Sequence, residues 1–164
     1  MASTRSKKRR PRFGNAPARW KEEVELAALS AFSSLTERYG YAGPIVQKND
    51  HSTSIGYVRV DIAIEVRLDW IEADVSLFLA RPTRDGKLPS GYYLSDAGEL
   101  VRVYLVTWLW RRGLFKRRKL TGKEEVLNPT DSMKRSLADY QQIVEGNLAE
   151  IERHGHSAFE PDVT

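Results

Sequence analysis

The alternation of apolar and polar residues over 58–79 limits the fold more than any other feature of the chain. From Val58 to Leu68 the apolar residues occupy even positions, and from Ile71 to Leu79 they occupy odd positions. A period of two is typical of an antiparallel strand with one buried and one wet face. The change of phase is expected from a turn near 69–71, although a β-bulge would also produce it. We predict a hairpin over about 57–80. The side chains predicted to face a layer of helices are Val58, Val60, Ile62, Ile64, Val75, Leu77 and Leu79.

Two helices are predicted from periodicity and end signals on either side of this hairpin. In the segment of about 18–39, apolar residues recur at steps of three and four, and Gly40 follows as a stop signal. The segment of about 96–112 begins with Asp96 and Glu99, which have the spacing of a capping box. We therefore predict a second, largely buried helix there.

A last helix is predicted over about 129–153, because Asn128-Pro129 is a start signal and Gly155 follows its apolar stripe. A short strand at 44–47 and a turn at Asp85-Gly86 complete the pattern. The predicted fold class is α+β, with a small antiparallel sheet of two to four strands packed against the three helices.

The length of 164 residues and a hydrophobic content of 41% fit a single domain, which we place at 18–156. Residues 1–17 are basic and bury almost nothing, so a disordered tail is expected there, and 157–164 are expected to be a flexible C-terminal tail. No cysteine is present, which excludes disulfides and thiolate sites. No apolar segment reaches the roughly 18 to 20 residues that span a bilayer. We expect a cytoplasmic protein without a transmembrane segment.

The formal net charge of +4 is unevenly distributed. Residues 1–19 contain seven Lys or Arg and no acidic residue, and residues 111–123 contain another seven and no acidic residue. The rest of the chain has 12 basic residues against all 22 acidic ones. The sequence therefore describes an acidic body with two basic segments.

The second basic segment directly follows an apolar run, "VYLVTWLW", and this junction has three interpretations. The simplest is a buried helix with a solvated tail. A second is a membrane-interface helix whose cations contact anionic headgroups, which we do not expect for this chain. A third is binding to nucleic acid through the segments 5–12 and 111–123. The candidate polyanion-binding residues are Arg111, Arg112, Lys116, Arg117, Arg118 and Lys119.

The polar side of the predicted hairpin is a candidate surface for binding another protein. It alternates acidic and basic residues and carries aromatic residues, as polar interfaces with aromatic anchors do. An ordinary solvated sheet face that also blocks edge pairing has the same pattern. The candidate interaction residues are Tyr57, Arg59, Asp61, Glu65, Arg67 and Phe78.

No signature of a catalytic nucleophile, a phosphate-binding loop or a zinc protease occurs in the chain. His154 and His156, near Glu160, are expected to be solvated residues at a helix end. We therefore predict no catalytic residue, no cofactor and no metal site.

Four segments are similar to those of a group of small bacterial α+β proteins, some of which have the layout of immunity proteins of polymorphic toxin systems. The segments are "FSSLTERYGY", "YVRVDIAIEVRLDWIEADVSLFL", "YYLSDAGELVRVYL" and "LADYQQIVEGNLAEIERHG". The resemblance covers roughly residues 28–155 and implies a cytoplasmic binding protein without catalysis. We accordingly expect the partner to be another protein, with nucleic acid as the alternative.

Overall fold

Five antiparallel strands form one open sheet in which the strand order follows the chain. The computed structural model describes residues 18–115 and 128–161. Its elements are α1 (Ala18–Ala31), α2 (Ser33–Glu37), β1 (Ala42–Lys48), β2 (Ser52–Val58), β3 (Ala63–Asp69), β4 (Asp74–Ala80), β5 (Arg102–Tyr104), α3 (Leu105–Arg111), α4 (Pro129–His154) and a 3-10 helix (Gly155–Phe159). The α+β class is confirmed, and the sheet has five strands where two to four were predicted.

The phase change in the alternating segment marks the hairpin between β3 and β4. Its last register pair joins Asp69 to Asp74, and the Asp69 carboxylate accepts the backbone N–H groups of Ile71 and Glu72, each at 2.9 Å. Ala73 has a φ of +49°, in the left-handed region that tight turns use. The hairpin predicted over about 57–80 is thus confirmed for 63–80, and the alternative of a bulge is not needed.

A second turn, over 59–62, interrupts the even-numbered apolar series. The backbone N–H of Arg59 donates to the carbonyl of Ile62, and Val58 pairs with Ala63 across the turn. Val60, at the tip of this turn, is 99% exposed, so the prediction that it faces the helices is wrong. Val58 is buried on the opposite side of the sheet. The remaining predicted residues do lie in the core under the helices: Ile62, Ile64, Val75, Leu77 and Leu79.

The main core lies between one face of the sheet and helices α1 and α4. Helix α1 contributes the fully buried Val24 and Ala28, and α4 contributes a stripe of five buried residues at helical spacing. Helix α4 begins as predicted, because Asn128 caps it by accepting the backbone N–H of Asp131 at 2.9 Å. The sheet thus has a helix-covered face and an opposite face.

The helix predicted over 96–112 is wrong for its first half. Ser95 Oγ accepts the backbone N–H of Glu99 at 3.2 Å within a turn, and β5 then pairs with β4. Only α3 is helical, and Leu105 and Leu109 are its buried residues. Ser and Asp form local hydrogen bonds in turns as readily as at helix starts, and pairing with the open edge of β4 favoured the extended form.

The C-terminal end of the described chain also differs from the prediction. The 3-10 helix continues the chain past α4, and Ala158 and Phe159 pack against the core where a flexible tail from 157 was expected. The predicted basic tail at 1–17 lies outside the described residues.

Candidate interaction surface

The sheet face opposite the helices is covered by the long connection between β4 and β5, residues 81–101. Leu88 of this loop lies directly on Gly56 of β2, where an added Cβ would stand 2.5 Å from the Leu88 methyl carbons. Only glycine allows this close approach. Leu88 completes a small second core with Val58, Ala63 and Ala80. The loop is therefore anchored at one end by apolar packing.

A buried arginine anchors the other end of the loop. Arg102 of β5 is 2% exposed, and its Nε donates to Glu65 Oε2 at 2.6 Å. Its Nη1 donates to the carbonyls of Gly91 and Tyr92 at 2.7 and 3.2 Å, and its Nη2 donates to the carbonyl of Pro89 at 2.9 Å. Glu65, on β3, is fully buried. One side chain thus connects the loop to two strands, and the buried charges are paired, as buried charges must be.

A second arginine contacts the same carboxylate from the solvent side. Arg67 donates through Nη2 to Glu65 Oε1 at 3.3 Å and through Nε to Ser54 Oγ at 3.2 Å. Its guanidinium lies 4.4 Å from the ring centre of Tyr92 and 5.4 Å from that of Phe78, within the range of a cation–π contact. We refer to these three charged residues as the charged triad: Glu65, Arg67 and Arg102.

Three partly exposed tyrosines surround the buried ring of Phe78. The ring of Tyr104 stacks on Phe78 at 4.8 Å, and Tyr92 and Tyr93 contact each other edge to face at 4.3 Å. The exposed fractions are 44% for Tyr92, 39% for Tyr93 and 42% for Tyr104. We call these three residues the tyrosine cluster. They form an aromatic surface next to the charged triad.

The tyrosine cluster is internally hydrogen-bonded. The hydroxyl of Tyr93 donates to that of Tyr104 at 2.8 Å. Partial removal from water and this hydrogen bond raise the pKa of Tyr93. Tyr93 is therefore uncharged at neutral pH, and the hydrogen bond links its ring to that of Tyr104.

A pocket of about 650 Å³ opens beside the tyrosine cluster, between the β1–β2 turn and the covering loop. Its lining comprises residues 47–52, Ser54, Arg67, Asp69, 89–92 and Arg102. Tyr92 belongs both to this pocket and to the tyrosine cluster. The two features therefore form one continuous surface.

The structure does not bring the six predicted interaction residues together on an exposed face. Tyr57 is buried against the helices, and Glu65 and Phe78 are fully buried beneath the covering loop. Arg59 and Asp61 are exposed in the β2–β3 turn, where Arg59 forms an ion pair with Glu152 at 2.6 Å. Arg67 alone contributes to the surface described here. The expectation of a shared wet face is wrong because the loop 81–101 covers that face.

The predicted polyanion-binding residues fall only partly within the described chain. Arg111 is exposed, and Arg112 forms an ion pair with Glu150 at 2.5 Å, which lowers the pKa of that carboxyl group. Lys116, Arg117, Arg118 and Lys119 lie outside the described residues. Within the described residues, the exposed Arg111, for which no ion pair is formed, thus follows Trp110, which is 59% exposed.

Sequence reasoning missed the tyrosine cluster and Arg102. The prediction of a helix over 96–112 placed Arg102 and Tyr104 on that helix and not in a strand of the sheet. No prediction was made for the adjacent tyrosines in "SGYYL". Two tyrosines in a loop rich in glycine and proline could have indicated a binding site, because loops frequently carry binding residues.

Within 18–115 and 128–161, no group of three or more His, Asp or Glu side chains is arranged to hold a metal ion. None of the helices in those ranges has the length and apolar character needed to cross a membrane. The molecule is thus an α+β protein with an open antiparallel sheet, helices on one face and a covering loop on the other. No family model, curated protein or solved structure matches the chain.

Proposed function

We propose that this protein acts without catalysis, by binding another protein through the tyrosine cluster. The observation that supports this is the group of three contacting tyrosine rings, each about two-fifths exposed, of which two come from the loop 81–101 and one from β5. Tyrosine and arginine are enriched among the residues that dominate binding energy, and tyrosine buries a large area with little loss of side-chain entropy. Arg67, stacked on Tyr92, adds the second of these residue types.

A stoichiometric role of this kind fits a small cytoplasmic adaptor or an immunity-like protein that blocks its partner. Such proteins need a preformed surface rather than a reactive group. The stacked rings provide one, because Phe78 and the Tyr93–Tyr104 hydrogen bond fix their positions before any partner binds.

Site-specific photo-crosslinking in cells that naturally express the chain tests this proposal. A photoreactive benzoylphenylalanine replaces Tyr93 in one variant and Leu26, which is 60% exposed on α1, in the control. We expect one protein to crosslink at position 93 and not at position 26, and the adduct to disappear when Tyr92 and Tyr104 are changed to Ser. Equal crosslinking at both positions, or none at position 93, would overturn the proposal.

A second candidate function is binding to nucleic acid through the segments 5–12 and 111–123. The specific observation is the exposed Trp110 beside the exposed Arg111, where the second basic segment begins. An aromatic ring next to cations is suited to unpaired bases, and such binding weakens steeply with salt. Titration with single-stranded and duplex oligonucleotides at two salt concentrations tests it, with Arg111→Glu as the variant. Absence of binding at low salt would exclude this function.

A further inference from the structure

The charged triad contains one carboxylate and two guanidinium groups, so it carries one excess positive charge at the floor of the pocket. Glu65 and Arg102 are almost completely buried, and the side chain of Arg67 is 16% exposed. All three side-chain nitrogen atoms of Arg102 already donate hydrogen bonds within the fold, to Glu65 and to three loop carbonyls. The excess charge is therefore available only at Arg67.

Arg67 lines the pocket and has an unused donor group. Its Nε and Nη2 donate to Ser54 and Glu65, whereas its Nη1 donates to no acceptor in the described part of the chain. Contact with the rings of Tyr92 and Phe78 holds the guanidinium plane in place. A planar guanidinium fixed in this way is suited to a carboxylate, and little side-chain entropy is lost when it binds one.

The rim of the pocket selects against ligands with many negative charges. Asp50 and Asp69 both line it, and Lys48, the other cation of the rim, already forms an ion pair with Glu25 at 2.8 Å. A nucleic-acid backbone would bring several phosphates close to these carboxylates, whereas a single carboxylate brings only the one negative charge that pairs with Arg67. The charge pattern thus favours one acidic group over a polyanion.

We propose that the pocket accepts the side chain of one Asp or Glu residue of the partner protein, which pairs with Arg67 while its neighbours cover the tyrosine cluster. This inference rests on the proposed function and specifies its partner. An extended protein segment fits because Tyr92 lines the pocket and also contacts Tyr93, so a ligand anchored on Arg67 is directed across the tyrosines.

The inference is tested by peptide display. A library of random twelve-residue peptides is selected for binding to the folded wild-type protein. We expect the selected peptides to share one Asp or Glu flanked by apolar or aromatic residues. Their dissociation constants, measured by fluorescence anisotropy, should rise about tenfold or more for Arg67→Met. The matched control is Arg38→Met, which removes an exposed arginine that also lies over a tyrosine ring, at 5.4 Å, but outside this surface. It should leave binding unchanged.

The outcomes separate this inference from the proposed function. A triple variant carries Tyr92→Ser, Tyr93→Ser and Tyr104→Ser. If the peptides fail to bind this triple variant but bind Arg67→Met as tightly as wild type, the carboxylate inference is overturned and the proposed function stands. Peptides that bind the triple variant unchanged would overturn both.

A second readout does not depend on the folding of the Arg67 variant. The Nε–H signal of Arg67 is followed by nuclear magnetic resonance of the wild-type protein in two titrations. The first adds a selected peptide, and the second adds the same peptide with its acidic residue changed to Asn or Gln. We expect the signal to shift with the acidic peptide and to shift at least about tenfold less at equal concentration with the amide peptide. Equal shifts would contradict the inference.

Discussion

Replacement of Arg102 by methionine tests whether the charged triad holds the covering loop on the sheet. Methionine has a similar length and no charge, so the change removes the hydrogen bonds while keeping most of the packing volume. In the variant, Glu65 loses its 2.6 Å partner and keeps only the 3.3 Å contact with Arg67. The carbonyls of 89, 91 and 92 also lose their donor.

The expected loss follows from leaving a fully buried carboxylate poorly paired. Breaking a buried ion pair by removing one partner costs about 3 to 5 kcal/mol. Since a domain is stable by only about 5 to 15 kcal/mol, this is a large fraction of the total. For a chain of this length, the same loss corresponds to a fall in melting temperature of about 6 to 20 °C.

Urea denaturation followed by tryptophan fluorescence measures this loss, because Trp70 is buried in the folded chain. The matched control is Arg84→Met, an exposed arginine in the same loop, which should change stability by less than about 0.5 kcal/mol. A loss below about 1 kcal/mol for Arg102→Met would refute the reasoning. It would mean that the Glu65 carboxylate is still adequately paired or hydrated after Arg102 is removed.

Two further changes test the core on the helix side of the sheet. Tyr57→Phe should raise the free energy of unfolding by about 1 kcal/mol, because the buried Tyr57 hydroxyl has no hydrogen-bond partner among the described residues. Burial also raises the pKa of Tyr57 to about 12, so the wild type should lose stability as the pH rises from about 10, the ordinary value, to about 12. Urea midpoints measured across that range should fall less for Tyr57→Phe, and an equal fall in both proteins would contradict the assignment. Ile64→Ala should lower the free energy of unfolding, measured by heat or urea, by about 2 to 5 kcal/mol. The control Val60→Ala, in the same alternating series, should lower it by less than about 0.5 kcal/mol. Similar losses for the two variants would contradict the turn at 59–62.

Much of the fold could be predicted because its signals are local. The alternation over 63–80 predicts the β3–β4 hairpin, since a strand places successive side chains on opposite faces whatever surrounds it. Asn128 and the apolar stripe behind it predict α4 for the same reason, because a cap and a helical period each involve residues within one turn. Val60 shows the limit of such patterns, since an apolar residue in a turn continues the alternation without being buried.

The candidate surface could not be predicted in the same way. Nothing in the alternation of Glu65 and Arg67 shows that a loop more than ten residues away returns over them, so they were placed on a wet face. A capping-box pattern at Asp96 and Glu99 occurs in turns as well as at helix starts, and the pairing of β5 with the open edge of β4 distinguishes the two.

The sequence by itself determined which side chains share a face of each strand and where the longest helix begins, because backbone geometry and nearest neighbours govern both. Only the tertiary structure decided what covers each face. The loop 81–101 buries Glu65 and Arg102, and it brings Tyr92 and Tyr93 against Phe78 and Tyr104. These contacts join residues distant in the chain, and their free energy comes from desolvation and charge pairing that exist only when the loop is closed on the sheet.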